Sequence, residues 1–243
     1  MTTSWALCSS PRTMETVNDP DTQLDRRAER RATRRAENRA ELLDAAERVF
    51  GEDGIRDGSL RKIAKLAGFS PAAIYLFFEN KQDLLSETCI RRADEWDNVV
   101  REAAESQMAP LDTLHRVIDL GIDFFAERPY FRLLLRHIRG GPAVTGPVLA
   151  EFADNVDARY LQVVVHIARI VQEGQAAGQI QQGNERSLAH LFLVLLNEFV
   201  LLGEHSVESN VGTLTAEQFH GFIDRALRNP SWSGPGSWPN DQA

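Results

Sequence analysis

The segment from Ser59 to Lys81, SLRKIAKLAGFSPAAIYLFFENK, constrains the fold of this chain more than any other. Leu60, Ile63, Ala64 and Ala67 recur at i, i+3, i+4 and i+7, so they share one face of a two-turn helix. Ser59 stands before that helix as an N-cap, placed to satisfy an orphaned backbone N–H. Gly68 follows the last periodic residue, where a residue without Cβ enters the left-handed conformation at least cost. Ser70 then caps a second helix, with Pro71 at N1, where a missing N–H matters least. Ile74, Phe77 and Phe78 give this short helix an inner face. Two helices joined by a tight glycine-containing turn define a helix-turn-helix.

On the N-terminal side, Asn38-Arg39-Ala40-Glu41 has the form of a capping box, and Leu42, Ala46, Val49 and Phe50 form a helical stripe that closes at Gly51 or Gly54. On the C-terminal side, Asn80 caps a fourth helix with Asp83 in its first turn. The remainder reads as helices over 84–107, 110–127, 148–173, 185–205 and 215–228, with PYFRLLLRHIRGG, residues 129–141, ending in paired glycines before a connector at 142–147. The helix at 185–205 is apolar nearly all round and is expected to be buried. No strand-period segment appears. The expected class is all-α, an N-terminal three-helix helix-turn-helix domain followed by a larger helical domain, to which the resemblance described below assigns ligand binding and dimerisation. The divisions are a disordered tail over 1–25, an arginine-rich arm over 26–37 and a DNA-binding domain over 38–83. A larger helical domain over 84–229, regulatory and dimerising on the resemblance described below, and a flexible tail over 230–243 follow. Translation beginning at Met1 or at Met14 is left open.

The formal net charge of −8 speaks against a polyanion partner only if it is spread evenly, and it is not. Residues 24–92 carry 12 Arg and 3 Lys against 12 acids, whereas residues 93–243 carry 11 Arg against 20 acids. A polyanion-facing N-terminal module on an acidic body is the reading this asymmetry supports. Within it, RRAERRATRRAENR, residues 26–39, holds seven arginines and two glutamates. It is either a solvated helical extension laced with Glu/Arg pairs or a basic arm that neutralises phosphates. It contains no helix breaker, so it can continue the following helix backwards.

Other classes find little support. The longest apolar run, Leu191–Leu196, falls far short of the roughly 20 residues a membrane span needs. Cys8 and Cys89 have neither metal nor disulfide spacing, which favours a reducing, cytoplasmic setting. No phosphate loop, metal-ligand cluster or nucleophile–base pair is visible, so neither an enzyme nor a cofactor is expected.

The segments AELLDAAERVFGEDGI and SLRKIAKLAGFSPAAIYLFFENKQDLL resemble the N-terminal domain of the TetR family, over about residues 38–90. Further on, ERPYFRLLLRH and EGQAAGQI are similar to recurring pieces of the family's C-terminal domains. The resemblance implies a homodimeric, sequence-specific transcriptional regulator bound to double-stranded DNA. It is expected to be a repressor released from a palindromic operator by a small, largely apolar ligand. The alternative is an activator or a ligand-independent DNA-binding protein of the same fold.

On this reading the DNA-binding residues are Ser59, Arg61, Ser70, Pro71, Ala72, Tyr75 and Lys81, with Arg34, Arg35 and Arg39 from the arm. Tyr75 matches the family's backbone-contacting tyrosine, its other reading being a core aromatic. Arg61 matches a position that reaches a base or phosphate, its other reading being a surface arginine. Ser59 and Lys81 match phosphate-contact positions, and a phosphate would explain a lysine where the helix dipole disfavours it. Pro71, Ala72 and Ala73 offer close approach and methyl contact to thymine but no side-chain hydrogen bonds. Leu76-Phe77 departs from the family pattern, where a polar residue is common, so Arg61, the arm and DNA shape are expected to carry more of the specificity. The dimerising pair corresponds to the helices at 185–205 and 215–228. The candidate ligand-binding residues are Phe124, Phe125, Phe131, His137, Phe152, Tyr160, His166, Phe192 and Asn197. Each has an ordinary core or surface role as its alternative.

Overall fold

The computed structural model describes residues 20–139, 150–202 and 214–231. The expected connector at 142–147, residues 1–19 and 232–243 of the tails and the side chain of Phe152 lie outside them, and residues 20–25 of the expected disordered tail are helical. Among the described residues there are nine helices and no strand. They are α1 Pro20–Asp57, α2 Leu60–Leu66, α3 Pro71–Ile74, α4 Lys81–Ala104, α5 Pro110–Ala126, α6 Pro129–Arg139, α7 Ala150–Ala176, α8 Glu185–Leu202 and α9 Ala216–Leu227. The all-α class with an N-terminal helix-turn-helix is what the periodicity dictates.

The chain divides into two compact units, residues 1–40 and residues 41–243. In the first, the described chain is the front of α1, and residues 26–37 are exposed on it. The Asn38 capping box is not a helix start. α1 runs through it from Pro20, because Ala, Arg and Glu are all strong helix formers and no residue there breaks the hydrogen-bond ladder.

In the second unit, Leu42, Leu43, Ala46, Val49 and Phe50 of α1 are buried with Ile63 and Ala64 of α2, Ile74 of α3 and Phe78. The α2–α3 turn closes as the sequence requires. Gly68 has φ +77, its N–H donates to the Lys65 carbonyl at 3.3 Å, and the Phe69 N–H reaches back to the Ala64 carbonyl at 2.8 Å. These are the two bonds of a Schellman cap. Ser59 accepts from the Lys62 N–H at 3.2 Å and Asn80 from the Asp83 N–H at 2.8 Å, so both expected N-caps form.

The core continues through Leu84, Leu85 and Val100 of α4, Leu114, Val117 and Ile118 of α5, Ile167 and Val171 of α7, and Phe192 and Leu196 of α8. α9 opens on a complete capping box from Thr215 and Gln218. α8 departs from its expected all-round burial. Ser187, His190, Leu191 and Glu198 stand on an exposed outer face of the protomer, with Leu191 52% exposed.

Candidate nucleic-acid interface

The face opposite the head's core belongs to α2, α3 and the turn after α3. Ile74 and Phe78 are 0% and 2% exposed, which anchors α3 inward and turns the intervening residues out. Ser70, Pro71, Ala72, Tyr75 and Leu76 are exposed, Tyr75 to 61% and Leu76 to 69%. The core-aromatic alternative for Tyr75 is therefore excluded. Ser70 opens α3 by its backbone angles, yet its hydroxyl makes no capping bond to the helix. Arg61 and Lys65 of α2 are exposed beside this strip.

Two lysines of the head are occupied within it. Lys62 Nζ donates to Asp53 Oδ1 and Oδ2 at 2.7 and 2.8 Å. Lys81 Nζ donates to the Arg56 carbonyl at 2.9 Å and stands 5.9 Å from the centre of the Phe50 ring. Burial, only partly opposed by Asp57, pulls the Lys81 pKa down. The lysine thus caps an orphaned carbonyl at the C-terminus of α1, a second reason for its position beside the expected phosphate contact. Ser59 is likewise committed to its own helix. Arg34 and Arg35 are exposed on the front of α1, and Arg39 is half-buried.

In the body, Phe124, Phe125 and Phe131 pack on one another and on Trp96. Phe125 and Phe131 stack with centroids 6.0 Å apart, and Trp96 stands 5.4 Å from Phe124. As placed here they are core packing, and so is Phe192, 1% exposed. Tyr160 O–H and His190 Nδ1 lie 2.8 Å apart, across α7 and α8. His137 turns toward the head, where its Nε2–H donates to the Gly51 carbonyl at 3.2 Å. His166, 3.4 Å from Asp97, borders a surface hollow of about 380 Å³ between α4 and α7, together with Leu161 and Val165. Asn197 is half-buried on α8. The eight candidates whose side chains are described therefore sit in different places: the aromatic core, the contact with Gly51, and the outer surface of α7 and α8.

Sequence reasoning missed an ion-pair ladder between head and body. Glu47 of α1, 5% exposed, accepts from Arg92 Nε at 2.6 Å. Arg92 Nη1 bridges both Glu95 oxygens at 2.7 Å. Arg128 Nε donates to Glu95 at 3.2 Å, its Nη1 donates to the Phe124 carbonyl at 3.1 Å, and its guanidinium lies 4.1 Å from the Phe124 ring centre. Burial disfavours the Arg92 cation, but its hydrogen bonds to Glu95 and Glu47 outweigh it, and the pKa is raised. The available signal was Glu47 itself, an acid inside the apolar stripe of Leu43, Ala46 and Phe50.

A capped helix-turn-helix with an exposed second helix and an exposed arginine alongside defines the class of helix-turn-helix DNA-binding regulators. Residues 42–88 match the family model for bacterial regulatory proteins of the tetR family. The fatty acid metabolism regulator protein of Bacillus subtilis (strain 168) is 44% identical over 45 residues, 18% of this chain and 23% of that protein. The uncharacterized HTH-type transcriptional regulator YhgD of the same strain is 23% identical over 154 residues, 63% of this chain and 78% of that protein. The chain thus spans less than a quarter of the first relative and over three quarters of the second. Among solved structures, FadR from Bacillus subtilis in complex with stearoyl-CoA superposes with a TM-score of 0.62 at 19% identity, covering 76% of this chain and 95% of that one. Residues 42–88 thus carry the helix-turn-helix domain of the tetR family of bacterial regulatory proteins, and the helical fold is that of the solved neighbours.

Proposed function

We propose that this chain is a homodimeric repressor that occupies a palindromic DNA operator and is released by a small, largely apolar ligand. The observation that carries the DNA-binding part is the outward strip from Ser70 to Leu76, flanked by Arg61 and Lys65 and held by the buried Ile74 and Phe78. α3 enters the major groove, Arg61 meets a guanine edge or a phosphate, and Tyr75 donates its phenol to a phosphate. The seven arginines of the arm neutralise further phosphates.

The exposed outer face of α8, with Leu191 52% exposed, and Phe222 of α9, 43% exposed, support a two-fold bundle between protomers. For the ligand, support comes from the stearoyl-CoA held by the FadR neighbour and from the fatty acid regulator among the relatives. A long-chain acyl thioester has the required apolar bulk and polar anchor. The Arg128 ladder, rooted at the Phe124 carbonyl and ending at Glu47, gives the body a route to bias the head.

The test titrates the full chain with a duplex selected from a random pool, in the presence of a series of acyl-CoAs. The repressor reading expects some chain length to raise Tm and lower operator affinity together. No coupled change anywhere in the series contradicts acyl-CoA control. A rise in operator affinity favours a ligand-activated regulator.

A further inference from the structure

We propose that the strip formed by Ala72, Tyr75 and Leu76 reads thymine C5-methyl groups in the major groove; this rests on the DNA-binding assignment above. Ile74 and Phe78 are 0% and 2% exposed, while Tyr75 and Leu76 between them are 61% and 69% exposed. α3 and the turn after it therefore use Ile74 and Phe78 for anchoring and the two residues that follow Ile74 for presentation. Pro71 and Ala72, at its start, are also exposed. Of these four outward residues only Tyr75 has a polar side-chain group, a single phenol at the end of an apolar ring.

The occupant follows from the chemistry of the groove. Every base edge in the major groove displays hydrogen-bond donors or acceptors, and the C5-methyl of thymine is the one apolar feature among them. An aliphatic strip cannot satisfy a donor or acceptor that it desolvates, so it disfavours G·C edges and favours a methyl. Arg56, Arg61 and Lys65 are exposed around the strip, which suits walls of phosphate rather than an apolar protein groove. The four-residue α3 has neither the length nor the apolar breadth of an interfacial membrane helix. Leu76, where a polar reader is common in the family, thus sets specificity by methyl contact and by rejection.

The experiment selects duplexes from a random thymine-containing pool with the full chain. Each thymine of the selected half-site is then replaced by deoxyuridine, which removes only the methyl group. At least one replacement per half-site is expected to weaken binding about fourfold, the ratio for one buried methyl-sized group at ~0.8 kcal/mol. In Leu76→Ala, an exposed and fold-neutral change confirmed by circular dichroism, that penalty is expected to fall below twofold. Uracil duplexes that bind as well as their parents overturn the methyl reading. A uracil penalty unchanged in Leu76→Ala overturns the role of Leu76. If the pool yields no enriched sequence, sequence-specific DNA binding itself is at fault, so the two failures are separable.

Discussion

Single residues decide several local outcomes, and Gly51 shows how. A Cβ added there meets the Tyr130 carbonyl oxygen at 2.5 Å, with two further Tyr130 backbone atoms at 3.1 Å. Backbone cannot swing aside as a side chain does, so α1 and α6 must separate. Gly51→Ala is expected to lower stability by about 1–3 kcal/mol in urea unfolding, despite alanine's better helix propensity. Lys81 separates two roles. As a cap on the Arg56 carbonyl, Lys81→Met is expected to lower Tm while leaving the salt slope of DNA binding unchanged. A lost phosphate contact would reduce that slope by about one. Asp224 gives a pH signature. Burial pushes its carboxyl up, but hydrogen bonds from His115 at 2.9 Å and Arg228 at 2.7 Å win, and its pKa is lowered. A carboxylate depressed by folding contributes stability above its unfolded pKa and loses it as pH falls through the folded value. Asp224→Asn is therefore expected to flatten the acid side of the stability curve and to leave no such extra loss below the usual carboxylate range.

Among the elements, the ladder of Glu47, Arg92, Glu95 and Arg128 is the main structural connection that periodicity could not reveal. Glu47→Gln leaves Arg92 half-paired in a site where its side chain is 15% exposed. A loss of about 3 kcal/mol is expected on removing one partner of a buried pair, measured by chemical denaturation. The double substitution with Arg92→Met is expected to recover part of it. The helices themselves were legible. Gly68, Ser70-Pro71 and Asn80 act within a few residues of their own position, so local chemistry places the turn, the proline start and the cap. Pairings such as Lys81 with Arg56, 25 positions apart, and Arg92 with Glu47, 45 apart, depend on how helices meet. One sequence does not state that. The same limit applies to Phe124, Phe125 and Phe131. Their aromatic character is visible in sequence, but the closed stack with Trp96 is a property of tertiary packing. α8 failed in the opposite direction, because an apolar helix reads the same whether a protomer or a second copy covers it.

For the whole molecule, an acidic chain of net charge −8 has its one net-positive stretch, residues 24–92, ahead of an acidic body. The arm is helical, and a helix about 10 Å wide does not fit a minor groove about 6 Å wide. On the proposed function its arginines are expected to meet phosphates, which would raise affinity and leave the arm a smaller share of the specificity than its sequence suggested. Removing residues 20–37 takes away six of the seven arm arginines and is expected to reduce the salt slope by several units, toward a limit of about 5. The preferred sequence is expected to stay the same, because the reading strip lies on α3 and the turn after it. The most direct measurement is selection from random duplex DNA by the full chain at moderate salt, followed by sequencing of the bound pool. The account predicts an enriched palindrome of two inverted half-sites, lost when Arg61 and Tyr75 are changed together to alanine in a chain that still folds. Bulk binding with no enriched sequence, or an enriched sequence indifferent to that double change, would contradict it.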